Sequence, residues 1–183
     1  MTDDARTAVR PARPADLGRI VEVHLAARTG YYRGHLGSGA LDRSNAAAAA
    51  AWPAHLQPDP GRLVLVAERA GRVIGVAHSG PPHHPEADPA ITRELHQLHV
   101  DPTVARSGAG SLLMAETLST WAAAGHRAGR LWVWGFNAPA LAFYTAFGWR
   151  PDGAVRPDTP PIDGHAMIGL RRDDLTEGSP PPA

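Results

Sequence analysis

Leu17, Ile20, Val21, His24 and Leu25 fall at i, i+3, i+4, i+7 and i+8, the spacing of one helix face. Pro14 stands where that helix would open, its φ already set and its missing N–H no loss in a first turn. Gly30-Tyr31-Tyr32-Arg33-Gly34 closes it. A second helix is predicted over 37–52, ending in an alanine run of high helix propensity and little periodicity. Shorter apolar runs follow. Residues 7–10 suit a short first strand, and 62–68 and 72–79 read as a hairpin turned at Ala70-Gly71. Four prolines between 80 and 90 deny that stretch its ladder donors and make it a loop. Residues 93–100 form the next strand, stopped by Asp101-Pro102. A helix over 108–125 then places Ser111, Met114, Ala115, Leu118, Trp121 and Ala122 on one face, with Leu112 and Leu113 beside it. Residues 130–135 make a buried strand. Asn137 is an N-cap with Pro139 in the first turn, and Ala140, Phe143, Tyr144 and Phe147 follow at helical spacing up to a C′ glycine, Gly148. A last hairpin, around 149–150 and 165–170, completes the sheet.

Composition narrows the class. A chain of 183 residues fits one domain, expected over 7–172 with flexible ends at 1–6 and 173–183. The 18 basic and 18 acidic residues cancel, so no overall field draws in nucleic acid or an anionic membrane. All the basic residues are arginine. Cysteine is absent, which removes disulfides, a thiolate nucleophile and thiolate metal ligands. Residues 1–16 lack the apolar core of a signal peptide, and the longest apolar run, 46–52, is too short to span a bilayer. A cytoplasmic protein is the expectation. Ten histidines raise the question of a metal. His96 and His99 point to opposite faces of a strand, His83-His84 lies in the proline loop without paired carboxylates, and no His-Glu-x-x-His occurs, so none is expected.

The stretch 94–110 carries the strongest chemical signal. A strand gives way to a short loop, Ala105-Arg106-Ser107-Gly108-Ala109-Gly110, whose two glycines open a long helical pattern. Backbone N–H groups at such a helix start, aided by the helix dipole, hold phosphate oxygens. Glycine at 108 and 110 leaves no side chain in the way. A third glycine of a dinucleotide fingerprint and the Gly-Lys-Ser/Thr of a P-loop are both missing.

Together with Asn137, Ala140, Phe143, Tyr144 and Gly148, this loop resembles the acetyl-CoA-binding core of the GNAT acetyltransferase superfamily. That core carries Gln/Arg-x-x-Gly-x-Gly/Ala at the helix start and a later Asn-x-x-Ala-x-x-Phe-Tyr-x-x-x-Gly-Phe. Here Trp149 replaces the final Phe, and the first motif departs at Ala105 and Ser107, which leaves the backbone amides to do most of the cradling. The resemblance implies an α/β (α+β) fold: a mixed, mostly antiparallel seven-stranded sheet with helices on both faces and a splayed central strand pair. It also implies acetyl-CoA as co-substrate, with pantetheine along the main chain of Leu98, His99 and Val100, and an amine acceptor that attacks the thioester directly. Relatives are often dimers, so a homodimer is compatible.

Within that resemblance Tyr144 is the candidate general acid for the departing thiolate, the plain alternative being a core-facing tyrosine. Asn137 can bond pantetheine, cap its helix, or do both. Glu94, at the start of the fourth strand, is the candidate base; among apolar neighbours its pKa would rise. His96, on the same strand face, is the alternative base. Tyr31 and Tyr32, with His83 and His84, are the expected walls of an acceptor site. Two other functions remain open: a catalytically silent CoA-binding sensor, and acetylation of a protein N-terminus or lysine in place of a small molecule.

Overall fold

The computed structural model describes residues 6–86, 88–157 and 159–175. Seven strands stand in the order β1-β2-β3-β4-β5-β7-β6. The chain forms two compact units, one holding the described residues through Ser79 with Gln97–Thr117, the other holding Gly80–His96 and the residues from Leu118 onward. Strand β4 (Ile91–Val100) therefore passes from one to the other after His96. The expected tail and the first five residues lie outside the described residues, apart from 173–175.

In the first unit, β1 (Ala8–Pro11) pairs antiparallel with β2 (Leu63–Arg69), and β2 with β3 (Arg72–Gly80). Ala70 and Gly71 take φ of 51° and 72°, the twist-matched turn of a tight hairpin. Ala67 faces Gly75 but Glu68 faces Val73, so Ile74 is one residue too many and forms a bulge. The slip brings Val73 onto the face of Val76. Both join Val66, Ile20 and Val23 of α1 (Leu17–Tyr32), and Trp52 of α2 (Ser38–His55) in a buried cluster. Each fully buried aliphatic side chain there contributes on the order of 1.5–3 kcal/mol. On the opposite face Ala67 and Gly75 receive α3 (Ala109–Ala123): a Cβ on Gly75 would lie 3.0 Å from Leu113 Cδ1. Helices cover both faces of this part of the sheet. The carbonyls turned out by the bulge are taken up, Val73 O by Arg19 Nε at 2.9 Å and Ile74 O by the Asp101 N–H at 2.8 Å.

In the second unit, β4 runs parallel to β5 (Ala128–Trp134), with registered pairs from Ile91↔Ala128 to Leu95↔Leu131. Antiparallel pairing joins β5 to β7 (Met167–Arg172), and β7 to β6 (Arg150–Val155). Gly129 is required where Trp121 crosses β5, since a Cβ would sit 2.5 Å from its Cζ3. Asn137 Oδ1 accepts the Ala140 N–H at 3.3 Å and opens α4 (Ala138–Ala146); Gly148, at φ 79°, ends it.

Departures from the sequence expectation in α2, β4 and α3 have clear physical reasons. α2 continues past Trp52 to His55, because Pro53 sits in the last turn and the Leu56 N–H still reaches Trp52 O at 3.2 Å. β4 begins two residues before Arg93, at Ile91, which is 4 % exposed and pairs with Ala128. The buried face of α3 is Leu113, Met114, Thr117, Leu118 and Trp121, while Leu112 is 42 % exposed. Apolar periodicity alone misplaced that face, because Thr117 hides its hydroxyl on Leu113 O at 2.8 Å and packs inward.

His24, 1 % exposed, accepts the Trp52 indole N–H at its Nδ1 (2.8 Å) and stacks on His99 at 4.3 Å. Burial, with the fields of Arg28 and His55, pushes the His24 imidazole down to about 3. Burial, with His24 and Arg28, also takes His99 well below the usual histidine value. An unfolded histidine binds its proton near ~6.5, whereas folded His24 waits until about 3. Between those values the unfolded state holds more protons, so stability falls as pH falls, by up to ~1.4 kcal/mol per pH unit for each such group. Urea unfolding between pH 6.5 and 5, above the carboxylate range, is expected to show this slope. His24→Gln, which keeps an acceptor for Trp52, should flatten it; an equal slope in both proteins would contradict the assignment.

Candidate active site

Glu94 is 1 % exposed, and donors surround it. His83 supplies two, its ring Nδ1 at 2.9 Å from Oε1 and its backbone N–H at 3.2 Å from Oε2; the Trp132 indole N–H adds a third at 3.3 Å. His96 Nε2 lies 3.8 Å from Oε1, and bonds Pro81 O at 3.0 Å. A carbonyl only accepts, so the His96 proton sits on Nε2. The rings of His83 and His96 lie 3.8 Å apart. Burial pushes the Glu94 carboxyl up, but the hydrogen bond from His83 and the fields of His96 and His83 outweigh it and leave it below the ordinary glutamate value. This corrects the expectation of a raised pKa: the apolar neighbours are real, but the donors win. It also corrects the view that His83 has no carboxylate nearby. The three side chains each place one ligand atom within 4.8 Å of the others, a set that could receive a divalent cation.

Charges tie the loop that carries His83 to the sheet. Arg130 Nε reaches Glu86 Oε1, and Arg130 Nη2 reaches Asp152 Oδ2, each at 2.7 Å, with both carboxylates about 10 % exposed. Nε and Oδ2 lack the alignment of hydrogen bonds, so the attraction is mainly charge on charge. The guanidinium also lies over Trp132, 4.8 Å from the ring centroid. Gly169 leaves the space, since a Cβ there would come within 2.7 Å of Asp152 Oδ1 and 2.8 Å of Arg130 Nη1. Arg171 Nη2 holds Asp88 at 2.9 Å. Sequence reading saw Arg130 only as part of a buried strand. Its partners come from the loop and from β6, and no local pattern announces them.

At the end of β4, Asp101 anchors the phosphate-loop candidate. Its Oδ1 accepts from Thr103 N (2.9 Å) and Thr103 Oγ1 (2.7 Å), while Oδ2 pairs with Arg19. The Thr103 hydroxyl, then its N–H and Arg19, hold the carboxyl below the usual aspartate value despite burial. After this clamp Arg106 and Gly108 take positive φ, 62° and 78°, before α3 begins at Ala109. Ala105 and Arg106 are exposed, and Gly110 and Ser111 are half-buried in the first turn. The N–H groups of that turn have no acceptor inside the helix. The Ser107 hydroxyl is buried with no hydrogen-bond partner among the described residues.

The remaining expected residues are dispersed. Tyr144 is half-buried on α4, and burial pushes its phenol up to about 12. Phe143 packs edge-on against it at 5.5 Å, and Ala140 receives the Asn137 cap. Leu98 and Val100 are half-buried on β4. Tyr31 and Tyr32 lie 4.4 Å apart at the end of α1, and Tyr31 is nearly parallel to His99 (8°) at 6.4 Å. His84 is half-buried beside His83.

A family model described as Acetyltransferase (GNAT) family matches residues 26–149. Mycothiol acetyltransferase of Clavibacter sepedonicus is 37 % identical over 97 residues, which is 53 % of this chain and 29 % of that protein, so the chain spans less than a third of this curated relative. Among solved structures, the PaiA N-acetyltransferase of Thermoplasma acidophilum in complex with coenzyme A aligns over 92 % of this chain and 99 % of its own, with a TM-score of 0.71 at 17 % identity. The ribosomal-protein-S18-alanine N-acetyltransferase of Escherichia coli aligns over 95 % and 97 %, with a TM-score of 0.66 at 18 % identity.

Arg130→Met leaves the Glu86 and Asp152 carboxylates without their cation. The expected loss is about 3–5 kcal/mol of stability, read by urea unfolding. Adding Glu86→Gln and Asp152→Asn should recover most of it. A single variant as stable as the parent would show that these charges are compensated elsewhere.

Proposed function

The chain belongs to the acetyltransferase (GNAT) family, and on that premise we propose that it transfers an acetyl group from acetyl-CoA to the primary amine of a small molecule by direct attack in a ternary complex. The amine nitrogen forms a bond to the thioester carbonyl carbon, the carbon–sulfur bond breaks, and coenzyme A leaves as its thiolate, which takes a proton from water. The absence of cysteine fits direct transfer, since no thiol can carry the acetyl group in between.

The observation that carries the reading is the hydrogen bond between Glu94 and His83. The buried carboxylate takes the His83 Nδ1–H, so that in the neutral ring Nε2 is the acceptor. The His83 side chain is 48 % exposed, and its Nε2 makes no hydrogen bond among the described residues. His83 Nε2 is therefore assigned as the acceptor of the amine proton, and Glu94 as the residue that fixes the ring and stabilises its cation. His96, tied to Pro81 through Nε2, positions the same loop. This revises the two sequence candidates: Glu94 itself has almost no exposed surface to offer an amine.

Tyr144 is assigned to the leaving group. An alkyl thiol titrates near ~8.5, so full proton transfer from a phenol near 12 runs uphill. A hydrogen bond donated to the developing thiolate fits better than a transferred proton. The loop at 105–110 is assigned to the pyrophosphate, through the N–H groups of the first turn of α3, which have no acceptor inside the helix, and the unpartnered Ser107 hydroxyl.

Thiol release from acetyl-CoA, followed over a panel of primary amines, tests the activity; no release with any amine, despite coenzyme A binding by calorimetry, would instead favour a silent CoA-binding module. Tyr144→Phe and His83→Ala should each lower kcat on the order of 10²–10⁴ with little change in acetyl-CoA affinity. Normal turnover in His83→Ala, with Glu94→Gln inactive, would return the base to Glu94. For the loop, Gly110→Val should weaken coenzyme A in calorimetry. It is a cleaner probe than Gly108, whose φ of 78° would strain any larger residue regardless of ligand.

A further inference from the structure

Arg28, near the end of α1, is held without a carboxylate partner among the described residues. Arg10, Arg19, Arg62, Arg130 and Arg171 all pair with carboxylates. The Arg28 guanidinium bonds only neutral groups: Nε to Asn45 Oδ1 at 3.1 Å, Nη2 to Ser44 Oγ at 2.5 Å, and Nη1 to the Tyr31 hydroxyl at 3.5 Å. Its face lies over Tyr32, 4.9 Å from the ring centroid. These contacts fix the side chain without cancelling its charge. Asn45 is itself held, donating to Thr29 Oγ1 at 3.3 Å, so the fork is built across α1 and α2 before any ligand arrives.

Among the described residues no carboxylate bonds to this guanidinium. His24 and His99 stack next to this group and are kept neutral, and the Arg28 cation is one reason for it. A guanidinium has five N–H bonds. Three are directed at Asn45, Ser44 and Tyr31, which leaves one on each terminal nitrogen. Open N–H bonds on a fixed cation can be met by the oxygens of a carboxylate. Beside the fork stand Tyr31 and, nearly parallel to it, His99. His99 belongs to the part of β4 expected to run along pantetheine.

We propose that Arg28 is an anion receptor and that the acceptor amine carries a carboxylate, which Arg28 binds through its two open N–H groups while the body of the molecule lies along Tyr31 and His99. The proposal rests on the amine-acetylating function given above and adds to it a substrate class: amino carboxylates with an apolar or aromatic body. Ser44 and Asn45 position Arg28. A cationic polyamine, by contrast, would meet a like charge here.

Matched probes test it. Each carboxylate is paired with its primary amide, which has the same shape and no charge: 4-(aminomethyl)benzoate with 4-(aminomethyl)benzamide, and ω-amino acids of two to six carbons with their amides. Acetyl transfer is measured alongside calorimetric binding in the presence of coenzyme A. At least one carboxylate should exceed its amide by about 10–100-fold in kcat/KM, chiefly through KM. Arg28→Gln should abolish that preference by lowering kcat/KM for the carboxylate far more than for the amide, and Arg28→Lys, which keeps the charge and loses the fork, should fall between. Thermal melting checks that both variants fold.

Equal treatment of every pair by the parent protein overturns the proposal. So does a carboxylate preference that survives in Arg28→Gln. Loss of acetyl-CoA affinity in Arg28→Gln, without a change in acceptor preference, would assign the cation to the cofactor and overturn it too. Carboxylate binding that depends on Arg28, with no acetylation of any amine, would keep the anion site and discard the amine-acetylating function. Neither binding nor turnover discards both.

Discussion

A carboxylate withdrawn from water must be met by donors or give up its charge, and Glu94 imposes that condition on the segment around it. Two of its donors come from a single residue, His83, whose backbone and ring both turn inward to reach it. A proline-rich loop that would otherwise be free to sample many shapes is thereby held at one point on β4. The further ties at Glu86 and Asp88 fix the rest of its length. The same hydrogen bond that satisfies the buried charge selects the His83 tautomer. Folding energetics and chemistry meet in one contact, and neither could be altered alone.

The other unit works under the opposite condition. Apart from Asp101, which pairs with Arg19, it buries imidazoles, and they avoid the cost of buried charge by staying neutral. Trp52 commits His24 Nδ1 as an acceptor, so the ring is locked in one tautomer with its other nitrogen protonated. Arg28 reinforces the neutrality of the nearby rings because a second positive charge close to it would be unfavourable. A fixed cation in a neutral aromatic setting keeps its field, since among the described residues no carboxylate is bonded to it.

Most of the fold was legible because its signals are local. Pro14, Ala70-Gly71, Asp101-Pro102, Asn137 and Gly148 punctuate the chain where the structure turns or caps. The buried face of α3 was misplaced because Thr117 is polar by type and packs inward by bonding its own helix. The candidate site was legible only in part. Tyr144 and Asn137 sit in a motif with fixed spacing, whereas His83 and Glu94 are eleven residues apart with a loop between them. No periodicity links a loop residue to a strand residue, so neither the contact nor the lowered pKa that follows from it could be read beforehand. Arg28 was hidden for another reason: on a helix it looks like any solvated polar residue, and its partners Ser44 and Asn45 lie on a different helix.

The bulge at Ile74 also constrains how this chain can change over evolutionary time. With one surplus residue in β3, the inward and outward positions on either side of it are related by an odd count. Deleting one residue there would rotate Val73 out of the cluster it shares with Ile20 and Trp52 and turn an unsuited side chain inward. It would also withdraw the two carbonyls that Arg19 and the chain at Asp101 occupy. Related sequences should therefore vary in length at the Ala70-Gly71 turn and conserve the count of residues from 73 to 76. That conserved spacing marks a register, and it can be recognised in an alignment even where every side chain has been replaced.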